Sequence, residues 1–267
     1  MEKLTLLGTG SAGVIECYNT CFTISSGGEH FLVDGGGGNG ILVQLKKADI
    51  PLHAIRHVFL SHPHTDHIFG IIWVVRMLGA KMLQNTYEGN LNVYCHNESA
   101  GILTSIAKST LGDNLVNLIG KRIIIHTLED GENKKILDYN VEFFDIHSEK
   151  RKQFGFSLIL KNGKKLTFTG DEPYNENEYR YVNQADWLLH EAFCLYSERE
   201  IFKPYEKQHA TVREACETAQ RLNIKNLILY HTEDKNIQRR KELYMDEGKA
   251  YYSGNLFVPD DLEVIRL

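Results

Sequence analysis

The sequence predicts an α/β fold in four layers, with two mixed β-sheets facing each other and helices covering both outsides. Three observations lead there. Two β-rich blocks are each followed by helical stretches, which is the pattern of sheets that bury one face on each other and the other under helices. Asn162-Gly163 stands between two apolar runs and is the strongest hairpin signal in the chain. No linker-like stretch and no fixed-period repeat interrupts the 267 residues, so a single domain over 1–267 is expected.

The elements follow in order. Lys3 to Leu7 reads as a short strand ending in the turn Gly8-Thr9-Gly10, and Cys21 to Ser25 and His30 to Asp34 as strands around a Ser-Ser-Gly-Gly turn. Gly40 to Lys47 is helical and stops before Pro51. Val58-Phe59-Leu60 is a buried strand, and a helix runs from about Ile68 to Leu78. Leu91 to His96, a helix from about Glu98, Arg122 to Leu128, Lys135 to Leu137 and Val141 to Ile146 continue the alternation, with turns at Asp130-Gly131 and Tyr139-Asn140. Phe156 to Leu160 and Lys165 to Thr169 form the hairpin. The last third reads strand at Trp187 to His190, helix at Val212 to Leu222, strand at Asn226 to Tyr230, helix at Ile237 to Met245 and strand at Leu262 to Arg266.

Composition narrows the partners. A net charge of −5 gives no global basic field, so a nucleic acid would have to be held by a local patch. Apolar runs such as Ile68 to Val75 fall well short of a membrane span, and the first strand shows no signal-peptide pattern, so no membrane partner and a cytoplasmic location are expected. Five cysteines without paired metal-type spacing read as reduced, mostly buried thiols.

The twelve histidines are distributed differently. His62-Pro63-His64-Thr65-Asp66-His67 follows the Val58 strand directly, so a rigid element presents three imidazoles and a carboxylate within six residues. Such nitrogen and oxygen donors suit zinc and its neighbours, and four exceed what one catalytic ion takes from one loop. Further donors stand at later strand ends: His147 after Val141 to Ile146, Asp171 in Thr169-Gly170-Asp171, and His231 after Tyr230. Each alone is a weak signal, since a single histidine at a strand end is more often a satisfied polar group. Together with the loop they make seven ligands, enough for two ions if Asp171 bridges them. Two such ions, about 3.5–4 Å apart, would activate a hydroxide and clamp the oxygens of a phosphoryl or carbonyl centre.

The HxHxDH motif, the Gly-Asp and the distal histidine resemble the metallo-β-lactamase superfamily. The likeness is greater to its ribonuclease Z branch, through Leu7-Gly8-Thr9-Gly10-Ser11, Leu32-Val33-Asp34-Gly35-Gly36, His67-Ile68-Phe69-Gly70, His190-Glu191-Ala192 and His209-Ala210-Thr211. It extends over nearly the whole chain. HxHxDH alone fixes fold and metal more than substrate. The resemblance implies that His62, His64 and His147 hold one zinc ion, that Asp66, His67 and His231 hold the other, and that Asp171 holds both, with manganese as the alternative metal. It also implies that Asp66 orients or deprotonates the attacking water. Glu191 and His209 would form a carboxylate-histidine pair in which His209 protonates the leaving oxygen. His209 also precedes Thr211, a plausible helix N-cap, which is the competing structural reading; His190, opposite Glu191 on its strand, is expected to be structural.

Two departures from that branch stand out. Ribonuclease Z enzymes that process tRNA commonly carry a long arm between the ligands matching His147 and Asp171, and here only Ser148 to Phe154 precedes the next strand. The basic Lys150-Arg151-Lys152 in that stretch reads as a solvated loop. Glu172 follows Asp171 where the branch more often has a neutral residue.

The functional expectation is a dinuclear zinc phosphodiesterase acting on small phosphodiesters such as cyclic nucleotides. Armless relatives of this kind include the anti-Pycsar proteins, which act against cyclic-nucleotide immune signalling. The alternative is a ribonuclease Z-type tRNA 3′-processing endonuclease; a non-catalytic metal-binding module on the same fold is the third reading. Because the branch is commonly dimeric and an armless site needs another wall, a homodimer is expected. No role is assigned to any of the thirteen tyrosines.

Overall fold

The computed structural model describes residues 2–267. Its strands are β1 (Lys3–Gly8), β2 (Cys21–Ser26), β3 (Glu29–Val33), β4 (Ile55–Phe59), β5 (Leu91–His96), β6 (Ile123–Leu128), β7 (Asn133–Ile136), β8 (Tyr139–Asp145), β9 (Phe154–Ile159), β10 (Lys165–Phe168), β11 (Trp187–Glu191), β12 (Asn226–Tyr230), β13 (Asn255–Phe257) and β14 (Val264–Arg266). The helices are α1 (Gly40–Lys47), α2 (Thr65–Leu83), α3 (Asn97–Thr110), α4 (Asp113–Val116), α5 (Tyr179–Val182), α6 (Arg199–Phe202), α7 (Val212–Arg221) and α8 (Arg240–Lys249).

Two seven-stranded sheets form, ordered β14-β1-β2-β3-β4-β5-β6 and β13-β12-β11-β10-β9-β8-β7. In the first, pairing is antiparallel from β14 to β3 and parallel from β3 to β6. The second is parallel from β13 to β10 and antiparallel from β10 to β7. The inner faces meet in one core. Phe22, Phe31 and Phe59 of the first sheet pack on Phe168, Phe156 and Phe143 of the second, with ring centroids 5.3, 5.7 and 4.9 Å apart. The period-2 alternation of a strand sends intervening residues outward. Leu32 and Val58 join the layer under α2 and α3, while Leu188, Leu227 and Leu229 join the layer under α7 and α8. This is the expected four-layer arrangement, and it explains why the parallel strands are apolar on both faces.

Several boundaries differ from expectation for local reasons. α2 begins at Thr65, directly after the extended His64, so Asp66 and His67 lie in its first turn; it runs on to Leu83 because Gly79 lets it pack close against Leu115. The turn before β8 is Leu137-Asp138, with Leu137 at φ 54°, and Tyr139-Asn140 already belongs to the strand. α8 starts at Arg240 because the preceding residues are tied into turns by the Glu233 carboxylate, which accepts the Asn236 N–H, and by the Arg239 N–H bond to Asn236. Arg240 is itself buried, donating to Thr9, Thr232 and the Pro259 carbonyl. β13 and the one-turn helices α4, α5 and α6 are too short to show a periodicity.

The C-terminal ends of β3 and β4, and of β8, β10, β11 and β12, lie along one edge of the sandwich, since each set runs parallel within its sheet. That edge receives the residues after each strand. All five cysteines are free, four of them buried. Among the described residues no helix is long and apolar enough to cross a membrane.

Candidate metal centre

The edge is held closed at its centre by backbone approaches that need glycine. The His67 carbonyl accepts the Gly35 N–H, and the Gly70 N–H bonds the Gly36 carbonyl. A Cβ on Gly70 would strike the Gly35 backbone. This contact brings the first turn of α2 against Asp34, the residue after β3. Gly170, at φ 72°, has no room for a side chain because Gln153 lies against it. Gln153 in turn fixes Asp171: its Nε2 donates to Oδ1 at 2.5 Å and its Oε1 accepts the Asp171 N–H at 2.6 Å.

Hydrogen bonds then assign the imidazole tautomers. The Ser61 hydroxyl donates to Asp34 Oδ2 at 2.7 Å, so it accepts from His62 Nδ1 at 3.0 Å. His67 Nδ1 donates to Asp34 Oδ2 at 2.9 Å. The Thr20 hydroxyl donates to the Gly10 carbonyl at 3.0 Å, so it accepts from His231 Nδ1 at 3.2 Å. In all three rings Nδ1 carries the proton, and the Nε2 lone pair faces inward.

Those three Nε2 atoms converge. Asp171 Oδ2 lies 3.5 Å from that of His62, 3.6 Å from that of His67 and 3.5 Å from that of His231. Asp66 Oδ2 is 3.3 Å from His67 Nε2. Two donor sets result, His62 with His67 and Asp171, and Asp66 with His67 and His231, all buried. His67 Nε2 is buried without a hydrogen-bond partner. A buried cluster of imidazole nitrogens and carboxylate oxygens is a donor set that suits a metal cation. The electrostatics agree. Burial lowers the His62 pKa well below the ordinary histidine value and takes His231 down to about 3, keeping both neutral as ligation requires. Burial acts the same way on His67, yet the Asp66 and Asp34 carboxylates outweigh it and pull positive charge toward that ring. Asp171 is held far below the usual carboxylate range, because the surrounding histidines more than offset its burial.

The other expected ligands are placed less centrally. His64 is half-buried, with its Nδ1 2.9 Å from His62 Nε2. His147 follows β8 at φ 57°, its N–H bonded to Asp145 Oδ1; its side chain is exposed and does not join either donor set. Glu191 ends β11, fully buried, and its Oε1 accepts the Ala210 N–H. Its Oε2 lies 3.7 Å from His209 Nδ1, and neither atom has another partner. The His209 ring sits 5.2 Å from that of His231 and stacks on Phe193 at 5.0 Å. Burial works to lower the His209 pKa, but the Glu191 carboxylate prevails and raises it. Thr211, not His209, caps α7, through a capping box with Glu214. His190 is structural, as expected: its Nδ1 donates to the Glu191 carbonyl and its Nε2 accepts the Tyr174 N–H.

Sequence reasoning missed the supports. Asp34 was legible only as part of the Leu32 to Gly36 motif, while Thr20, Ser61 and Gln153 carry no sequence signal of their own.

A family model described as anti-Pycsar protein Apyc1 matches residues 2–249. Ribonuclease Z of Archaeoglobus fulgidus is 24% identical over 309 aligned positions, covering 97% of this chain and 95% of its own. Two solved structures share the fold: the metallo-β-lactamase fold protein YhfI of Bacillus subtilis, with a TM-score of 0.80 at 16% identity, and the short form of human tRNase Z, with 0.75 at 19%. Each covers 99% of this chain and 98% of its own.

Proposed function

The chain belongs to the anti-Pycsar protein Apyc1 family within the metallo-β-lactamase fold, and we propose that it is a dinuclear zinc phosphodiesterase that opens small cyclic nucleotides. The broad class, a metal-dependent hydrolase acting on phosphoester bonds, rests on the family together with the His and Asp cluster. The observation that carries the finer reading is the placement of a carboxylate-paired histidine, His209, beside a donor cluster built for cations.

In this reading His62, His64 and His147 would hold one ion, Asp66, His67 and His231 the other, and Asp171 would serve both, with the exposed His147 turning inward to do so; manganese is the alternative to zinc. Two such ions supply positive charge for the phosphoryl oxygens and lower the pKa of water. Asp66 orients the attacking water with its carboxylate. Glu191 faces His209 Nδ1 at 3.7 Å as its charge partner, and His209 would deliver a proton to the departing ribose oxygen, which would otherwise leave as an alkoxide. Phe193, Phe202, Lys207 and His209 line a cavity of about 360 Å³ with the Ser11 to Val14 loop, a size suited to a nucleoside. The stretch between β8 and β9 is a short loop where a tRNA-gripping arm would stand, and the net charge of −5 gives long RNA no general attraction. Removal of a cyclic-nucleotide immune signal is the biological role we propose, carried out by a cytoplasmic homodimer.

A second reading, tRNA 3′-end processing, is favoured by the nearly full-length likeness to the Archaeoglobus ribonuclease Z. A non-catalytic module is disfavoured by the retention of every expected ligand and of the Glu191 and His209 pair. A panel of cyclic mononucleotides, linear dinucleotides and precursor tRNA on zinc-loaded protein tests the reading. Ring opening of a cyclic mononucleotide as the fastest reaction supports it, and inertness toward all cyclic nucleotides overturns it.

A further inference from the structure

Two features of the sequence lie outside this chemistry, the basic run Lys150-Arg151-Lys152 and the acid Glu172 that follows Asp171. In the fold they meet. Glu172 is buried, and its Oε1 accepts the Ser148 hydroxyl at 2.6 Å and lies 3.6 Å from Lys150 Nζ. The Lys150 ammonium donates onward to the Lys207 carbonyl at 3.0 Å. Beside it, Gln208 Nε2 donates to Glu149 Oε2 at 3.3 Å. Three segments far apart in sequence are thereby joined: the loop after His147, the residue after Asp171, and the turn that leads into His209.

That turn needs holding. Lys203 at φ 50° and Gln208 at φ 55° are both left-handed without being glycine, and a single 3₁₀ turn, Tyr205–Lys207, lies between them. Its outer side chains, Tyr205, Glu206 and Lys207, are exposed. The other two basic residues of the run point elsewhere, Arg151 to Glu98 at 2.9 Å and Lys152 to Asp145 at 3.4 Å. Only Lys150 reaches across. Its side chain is mostly covered, so its charge needs the Glu172 carboxylate close by, and its bond to a carbonyl is of the stronger, charge-assisted kind.

We propose that Lys150 is a positioning residue for His209: paired with Glu172, it clasps the 203–208 turn through the Lys207 carbonyl and so fixes the imidazole relative to the leaving oxygen. The inference rests on the reading of His209 as the proton donor. It gives the short loop after His147 a task that needs no arm, and it gives the buried Glu172 carboxyl a partner.

The test uses the zinc-loaded protein and two substrates that differ only in the leaving group, methyl p-nitrophenyl phosphate and methyl phenyl phosphate. Lys150→Met should lower kcat on the phenyl ester about tenfold, since small misplacement of a catalytic group is costly, and leave the p-nitrophenyl ester and both KM values nearly unchanged. Lys150→Arg should restore most of the loss. Independently of activity, trypsin should cut the Lys207-Gln208 bond about tenfold faster in Lys150→Met, as expected of a released turn. His209→Ala is measured alongside. If it slows both esters equally, the proton-donor reading itself fails. If it shows the leaving-group bias while Lys150→Met shows neither the bias nor faster cleavage, the clasp is overturned and the donor stands. A raised KM on both esters with unchanged kcat would make Lys150 a substrate contact and would also overturn the clasp.

Discussion

His67 Nδ1 lies 2.9 Å from Asp34 Oδ2, and this one buried bond decides which nitrogen of the central histidine faces the cluster of candidate metal donors. Asp34 also accepts the Ser61 N–H and hydroxyl, and through Ser61 it orients His62. One carboxylate outside the donor sets therefore sets two imidazoles at once. Asp34→Asn keeps the size and tolerates the left-handed backbone at φ 55°, but it replaces an acceptor oxygen with a donor. Zinc affinity, measured by chelator competition, should fall about 10–100-fold with the circular dichroism spectrum unchanged. An unchanged affinity would show that the tautomers are set by something else.

The proposed reading calls for two metal ions per chain. Asp171 Oδ2 stands 3.5–3.6 Å from three different imidazole nitrogens, the position of a shared ligand. Metal analysis after controlled loading should approach two equivalents for the native chain and fall in Asp171→Ala. A firm value of one equivalent, unchanged by that substitution, would remove the bridging assignment.

Glu178 gives a pH signature away from the metals. It is buried, its Oε1 accepts the Asn175 N–H and side-chain amide, and its Oε2 has no partner. Burial pushes its pKa well above the usual glutamate range, and the nearby Glu172 charge adds to the shift. The folded state therefore holds a proton that the unfolded chain releases, so the stability it contributes is full below the ordinary glutamate pKa and is lost as pH rises toward the folded value. Glu178→Gln keeps the acceptor and cannot ionise. Its Tm should exceed the native value by a few degrees at pH 8, about 2–4 °C for each 1 kcal/mol in a chain of this size, and the gain should vanish near pH 4. A gain that is the same at both pH values would contradict the buried proton.

The parts of this architecture that were legible in the sequence share a cause. His62 to His67 concentrate ligand chemistry in one short loop after an apolar strand, and Asp171, Glu191 and His231 each stand at the end of a strand whose alternation is readable. The supports were not legible because their partners are remote in sequence. Thr20 meets His231 across 211 positions, and His67 meets Asp34 across 33. Nothing local to Thr20 or Gln153 marks them. Of the basic run read as a solvated loop, Arg151 and Lys152 are exposed as expected, while Lys150 illustrates the same limit, finding its carbonyl 57 positions away. His147, a ligand candidate from its strand-end position, stands exposed after β8 and outside the two buried donor sets.

The central claim, a small cyclic nucleotide as substrate, is tested most directly by kcat/KM measured on one zinc-loaded preparation for a 3′,5′-cyclic mononucleotide and for a precursor tRNA, at low and at high salt. A cyclic diester presents a single charge to the metals and a base to the cavity beside His209. A tRNA draws its affinity from many phosphate contacts, which salt weakens. The account predicts a far higher kcat/KM for the cyclic nucleotide, with little salt dependence. A higher kcat/KM for 3′-trailer cleavage of the tRNA, strongly suppressed by salt, would contradict it.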